Sequence, residues 1–236
     1  MILSGSLAEK GWQIVTSDYT QLLNNVRDNF LKEIRRLDLQ FANIEDLICN
    51  IDKVSDSDVN SLRSIELYGF PELMAESFKT EIGNIAGNEI FLQRKPHINI
   101  NIPASEGSVT LSHTELLSGH SPYTCVLWVP LHDVNDDTGL FCMDEPQSQK
   151  FMEDQKDFRI PYDQEGLWGK TVDPLKVKYG EGIIFDAFVL HGAWPNKTKR
   201  ARVSLDIRFQ SDQKPLYEKG MEYFSHHIFG QGGDLS

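Results

Sequence analysis

Cysteine is scarce: Cys49, Cys125 and Cys142 are odd in number, widely spaced and include no CxxC pair. That excludes a disulfide framework and a zinc knuckle. Long apolar runs are missing too, and none reaches the roughly 18 residues that a membrane-spanning helix needs. Positive charge is in short supply, with 23 Lys and Arg against 35 Asp and Glu and a net charge of −12. Nucleic acid and anionic membrane surfaces are therefore not expected as partners, because both require basic patches. A local basic pocket for an acidic small molecule remains compatible with that balance. The opening MILSGSLAEKGW has no basic stretch followed by an apolar one, so no signal peptide is expected and a cytoplasmic protein is. Internal repeats and low-complexity tracts are absent as well.

What is present reads as one domain of 236 residues with ordinary hydrophobic (40%) and charged (25%) content. Residues 1–87 read as a helical support. In SDYTQLLNNVRDNFLKEIRRLDL, Leu22, Val26, Phe30, Ile34 and Leu37 fall on one helical face, with Ser17 or Asp18 as N-cap. SDSDVNSLRSIELYG predicts a second helix and PELMAESFKTEIGNIAG a third, ending near Gly87. From 88 to 210 the texture changes to short strands: EIFLQRKPHININIP, YTCVLWVPLHDV, TGLFCMD, EGIIFDAFVLH and ARVSLDIRF, split by turn residues. Helices followed by many short strands predict a mainly β fold, a double-stranded β-helix of the jelly-roll or cupin type with N-terminal helices. Residues 143–178 read as a polar insertion or lid with a short helix near PQSQKFMEDQ, and 211–236 as a C-terminal tail. The N-terminal helices are a candidate homodimer surface and equally a candidate support for the β core.

Two patterns carry chemistry. His113-Thr114-Glu115 puts an imidazole and a carboxylate two residues apart, hence on one side of an extended strand. With His191 they make two histidines and one carboxylate, a set that suits ferrous iron with three open positions or a hydrolytic zinc. A surface pair at a strand end is the plain alternative for His113 and Glu115. The second pattern is Arg202-Val203-Ser204. Along ARVSLDIRF, Val203, Leu205, Ile207 and Phe209 form one apolar face, and Arg202, Ser204, Asp206 and Arg208 form the other. An inward arginine needs an anion, and its planar fork matches a carboxylate. That anion could be a ligand, or a protein carboxylate such as Asp206 or Asp186.

The order HxE, His, Arg-x-Ser resembles the iron(II)- and 2-oxoglutarate-dependent oxygenases over roughly residues 90–210. HTELLSGHSPYTCVLWVPLHDV and YGEGIIFDAFVLHGAWPNKTKRARVSLDIRF are similar, more narrowly, to a branch found in bacterial carbohydrate-biosynthesis clusters and, more distantly, to the phytanoyl-CoA type. The chain departs from the commonest pattern by placing Glu115 where Asp is usual, and a halogenase would need a small residue there. The resemblance implies that His113, Glu115 and His191 hold Fe(II). It implies that Arg202 and Ser204 bind the far carboxylate of 2-oxoglutarate, with Trp128 lining that pocket unless it is plain core. It implies that dioxygen is consumed and that a small polar metabolite, a sugar or nucleotide-linked sugar, is hydroxylated. A cupin-like metal-dependent sugar isomerase or epimerase and a non-catalytic jelly-roll binding module are the alternatives. Of the other histidines, His120 reads as a solvated loop residue, with contact to the substrate as the alternative, His132 as a strand end on the surface, and His226 and His227 as part of the tail. Arg94, Lys95 and His97 read as a solvated basic strand end, with contact to a phosphate or carboxylate of the substrate as the alternative.

Overall fold

A computed structural model describes residues 6–103, 111–135, 138–154 and 172–230. Among the described residues, nine strands pair antiparallel throughout. They are β1 (Trp12–Thr16), β2 (Glu89–Gln93), β3 (His97–Asn101), β4 (Cys125–Pro130), β5 (Leu140–Cys142), β6 (Glu181–Asp186), β7 (His191–Ala193), β8 (Arg202–Ser211) and β9 (Phe224–Ile228). Seven form a large sheet in the order β1-β6-β4-β8-β2-β9, with β3 also on β8; β5 and β7 form a small second sheet. The two-sheet jelly-roll expectation is borne out.

Alternation along the central strands separates two layers of packing. Cys125, Leu127 and Val129 of β4, Ile184 of β6, and Val203, Leu205, Ile207 and Phe209 of β8 face one core. The helices α2 (Thr20–Arg36), α3 (Ile44–Asn50), α4 (Asp56–Arg63), α5 (Phe70–Ser77) and α6 (Lys79–Ala86) cover that face. Val126, Trp128, Ile183 and Phe185 point the other way, into a smaller core with Leu140, Cys142 and Val189. The functional groups lie in this second layer, between the sheets.

The sequence reading needs several corrections. Helix α2 turns Leu23, Val26, Phe30, Leu31 and Ile34 inward, so Leu22 and Leu37 only flank its buried face. Its N-cap is Tyr19; Asp18 instead accepts from Thr80 N at the start of α6. The third helix is two, α5 and α6, broken at Phe78. A short helix α1 (Ser6–Lys10) and α3 went unread, whereas the Ser55–Asp58 capping box starts α4 as its sequence suggests. Residues 1–87 are not all helical: β1 pairs with β6 and covers that edge of the sheet. Residues 211–236 are not simply a tail either, because β9 pairs with β2 and buries Phe224. The expected lid at 143–178 lies partly outside the described residues. Its first part is α7 (Glu145–Asp154), a helix where one was predicted. No described helix is long and apolar enough to cross a membrane.

Candidate metal and 2-oxoglutarate site

His113 and His191 are backbone partners. Each N–H donates to the other's carbonyl at 3.0 Å, which appends His113 to the β5–β7 sheet. Gly192 permits the approach: a Cβ there would lie 3.0 Å from Ser112 Cα and 3.1 Å from the Phe141 ring. The chain then leaves the extended conformation. Glu115 has helical angles and starts a 3₁₀ turn, Leu116–Ser118, where Thr114 Oγ1 accepts from Leu117 N. His113 and Glu115 therefore converge through a strand-to-turn junction, and the expected two-residue strand repeat is not what aligns them.

Both imidazoles have their Nδ1 on a carbonyl, His113 on Leu111 O at 2.8 Å and His191 on Val189 O at 3.0 Å. Carbonyls only accept, so each Nδ1 carries the proton and each Nε2 presents a lone pair. Those Nε2 atoms lie 3.8 and 3.6 Å from Glu115 Oε1. All three candidate ligand atoms lie within 4.8 Å of one another. Burial, with help from His113, pushes His191 down to about 3, so it stays neutral and able to ligate.

Burial alone would push the Glu115 carboxyl up. The charge and hydrogen bonds of Arg208 overcome it and hold the group well below the usual carboxylate range. Arg208 Nη2 and Nε donate to Glu115 Oε1 and Oε2 at 2.6 and 3.2 Å. Its Nη1 donates to Asp206 Oδ2 and to His97 Nδ1, the latter at 2.7 Å. The protein-carboxylate role weighed for the inward arginines thus falls to Arg208, and one of its carboxylates is the candidate ligand itself.

Arg202 behaves otherwise. It is buried, with no ion pair among the described residues; Nη1 donates to Thr138 O and the guanidinium lies 5.5 Å from the Trp128 ring centre. Burial lowers it to about 10, leaving it charged at neutral pH. Arg202 Nε, Ser204 Oγ and Trp128 Nε1 are buried with no hydrogen-bond partner among the described residues. A buried arginine whose own Nε is orphaned, with the orphaned Ser204 Oγ on the same strand face and Trp128 Nε1 on the neighbouring strand, is a cradle for an anion.

A cavity of about 380 Å³ joins the two ends, lined by His113, Glu115 and His191, by Trp128 and Arg202, and by His120 and Tyr223 among others. His120 is a second correction. It is only 3% exposed, and its Nε2 lies 3.3 Å from Glu115 Oε2. Gly119, at a φ of 87°, reverses the chain after the 3₁₀ turn and returns His120 to the carboxylate. The Ser-Gly-His triplet was the available signal. His97 also lines the cavity, although Arg94 and Lys95 stay exposed. His132 is half-buried and accepts from Val203 N, bracing β8 beside Arg202. His226 sits on β9 near Asp212 and Glu89, and His227 near Glu76.

The profile of the phytanoyl-CoA dioxygenase (PhyH) family matches residues 22–204. The chain belongs to that family. This dioxygenase is accordingly a 2-oxoglutarate-dependent enzyme that uses iron, 2-oxoglutarate and dioxygen. Its fold is shared with HygX from Streptomyces hygroscopicus, solved with nickel and 2-oxoglutarate: 11% identity, 88% of this chain, 85% of that one, TM-score 0.57. It is shared with EctD from S. alaskensis in its apoform: 15% identity, 89% and 76% coverage, TM-score 0.56. It is also shared with the epimerase SnoN in complex with Fe3+, alpha ketoglutarate and nogalamycin RO: 15% identity, 97% and 89% coverage, TM-score 0.52. No curated protein sequence matches the chain significantly. The donor set suits the family's metal: two neutral nitrogens and one anionic oxygen on one side of a cavity, with open room beyond.

Proposed function

We propose that this dioxygenase hydroxylates a small polar metabolite, a sugar or nucleotide-linked sugar, with Fe(II) held by His113, Glu115 and His191. Arg202, Ser204 and Trp128 receive the far carboxylate of 2-oxoglutarate. The supporting observation is the pairing, within one layer, of a two-histidine, one-carboxylate cluster with an arginine that has no carboxylate partner among the described residues. Bound iron with 2-oxoglutarate supplies the oxidising power for C–H cleavage.

The chain's own groups do the rest. The Nδ1–carbonyl bonds aim His113 and His191. Arg208 keeps Glu115 ionised. Arg202, buried with its guanidinium 5.5 Å from the Trp128 ring centre, fixes the co-substrate's orientation. The polar remainder of the cavity supports a hydroxylated substrate. One structural relative is an epimerase, so stereochemical inversion at the same site is the second outcome to look for in the product. Three unpaired cysteines fit the cytoplasmic setting included in the proposal.

The test is anaerobic. Fe(II) and then 2-oxoglutarate are added to the apoprotein, and the weak visible charge-transfer band of a chelated keto acid is recorded. The band should vanish in His191→Ala and require far more 2-oxoglutarate in Arg202→Ala. A folded, iron-loaded protein without the band would overturn these assignments and reopen the metal-isomerase and binding-module alternatives.

A further inference from the structure

Besides the cradle at Arg202, the cavity holds a second pair of buried polar atoms without partners. His120 Nδ1 and the Tyr223 hydroxyl have no hydrogen-bond partner among the described residues, and both residues line the cavity. Their rings meet edge to face with centres 5.2 Å apart, and His120 lies against Glu115, so the two residues form one stretch of the cavity wall. Desolvating two such atoms and leaving them unpaired is unfavourable, and a ligand group that satisfied both would remove that cost.

The chemistry of that group follows from the neighbours. His120 Nε2 faces the carboxylate of Glu115 at 3.3 Å, so the ring proton belongs on Nε2. Nδ1 is then a bare acceptor. The Tyr223 hydroxyl can donate. A ligand atom between them must donate to one and accept from the other, which is what an alcohol does. A carboxylate would press its lone pairs against that of Nδ1. An ammonium has no lone pair to accept from the Tyr223 hydroxyl, and Lys219 Nζ already lies 5.5 Å from the Tyr223 ring centre. We propose that His120 and Tyr223 form a substrate subsite for a neutral hydroxyl group, donating to His120 Nδ1 and accepting from Tyr223 O–H. The substrate is therefore a neutral alcohol or polyol at the end that reaches the iron, whatever it carries further out. This inference rests on the iron and 2-oxoglutarate assignment above.

The probe is myo-inositol, a neutral ring of hydroxyls, compared with cyclohexanecarboxylate, a ring of the same size bearing an anion. Each is titrated into the anaerobic Fe(II) and 2-oxoglutarate complex while the visible band is followed. Myo-inositol should perturb the band in a saturable way and cyclohexanecarboxylate should not. Tyr223→Phe, which keeps the ring and its packing on Phe224, should raise the myo-inositol half-saturation about five- to tenfold. The band in each variant reports the iron site separately. Lack of the band would bring down the assignment and this inference together. A band that forms but ignores myo-inositol, responds to the carboxylate instead, or is perturbed equally well in Tyr223→Phe would overturn this inference alone.

Discussion

Arg208 grips both carboxylate oxygens of Glu115, with Nη2 on Oε1 at 2.6 Å and Nε on Oε2 at 3.2 Å, from a strand position 93 residues further along the chain. Oε1, the oxygen nearest both histidine Nε2 atoms, is thus held in place while keeping a lone pair for a metal. Removing the arginine leaves an unpaired buried carboxylate. Arg208→Gln should cost about 3–5 kcal/mol of stability and weaken Co(II) or Fe(II) binding roughly 10- to 100-fold. Arg208→Lys, which restores charge without the fork, should recover part of both. Chemical denaturation and a Co(II) titration measure the two effects. Unchanged Co(II) affinity in a folded Arg208→Gln protein would show that the grip does not position the ligand.

The cradle at Arg202 should respond in graded steps. Ser204→Ala and Trp128→Phe each remove one orphaned donor and should raise the half-saturation for 2-oxoglutarate about fivefold. Arg202→Lys loses the planar fork and should raise it by more, about tenfold or beyond. The anaerobic band gives all three values. Co(II) affinity, measured without 2-oxoglutarate, should stay at the wild-type value, since none of these side chains is one of the three candidate ligands.

Gly192 is where the two histidine-bearing segments come closest. In Gly192→Ala the new methyl would sit 3.0 Å from Ser112 Cα, so backbone must move. A loss of about 1–3 kcal/mol is expected from the overpacking. Metal affinity should fall with it, because either His113 or His191 has to shift. A variant with wild-type stability and wild-type Co(II) binding would show that the contact is softer than its geometry.

Asp186 supplies a pH test away from the candidate ligands. Burial pushes its carboxyl up to about 6 from an ordinary 3.8, although it accepts from Phe188 N. Between those values the folded protein holds a proton that the unfolded chain has released. Stability from this group is therefore present below about pH 4, declines as pH rises through 6, and stays lost above that. Asp186→Asn should stabilise the protein at pH 7.5 by on the order of 2 kcal/mol and confer little at pH 4. Urea denaturation at the two pH values decides it, and equal gains at both would sink the explanation.

Local pattern was enough for much of this. The two faces of ARVSLDIRF lie as the alternation requires, with Val203, Leu205, Ile207 and Phe209 in the helix-side core and Arg202 and Arg208 lining the cavity. A strand has only two sides, and one run of apolar residues assigns both. Residue type and order likewise singled out His113, Glu115 and His191, because few side-chain sets offer two nitrogens and one carboxylate.

Other features could not be read locally. The Arg-x-Ser triplet marks Arg202, but nothing near Arg208 in sequence names its partner; β8, seated between β3 and β4, delivers Arg208 to Glu115 and leaves Arg202 facing Trp128. His120 looked like a loop residue until Gly119 turned it back onto Glu115. The strands β1 and β9 are short and gain their meaning from open sheet edges elsewhere in the chain. By itself, the sequence determined which faces are apolar and which residue types could bind a metal and a carboxylate, since both follow from periodicity and side-chain chemistry. Only the tertiary structure decided which charge meets which, because pairing across 93 residues depends on strand register and on where a turn reverses, and neither is written in the neighbouring residues.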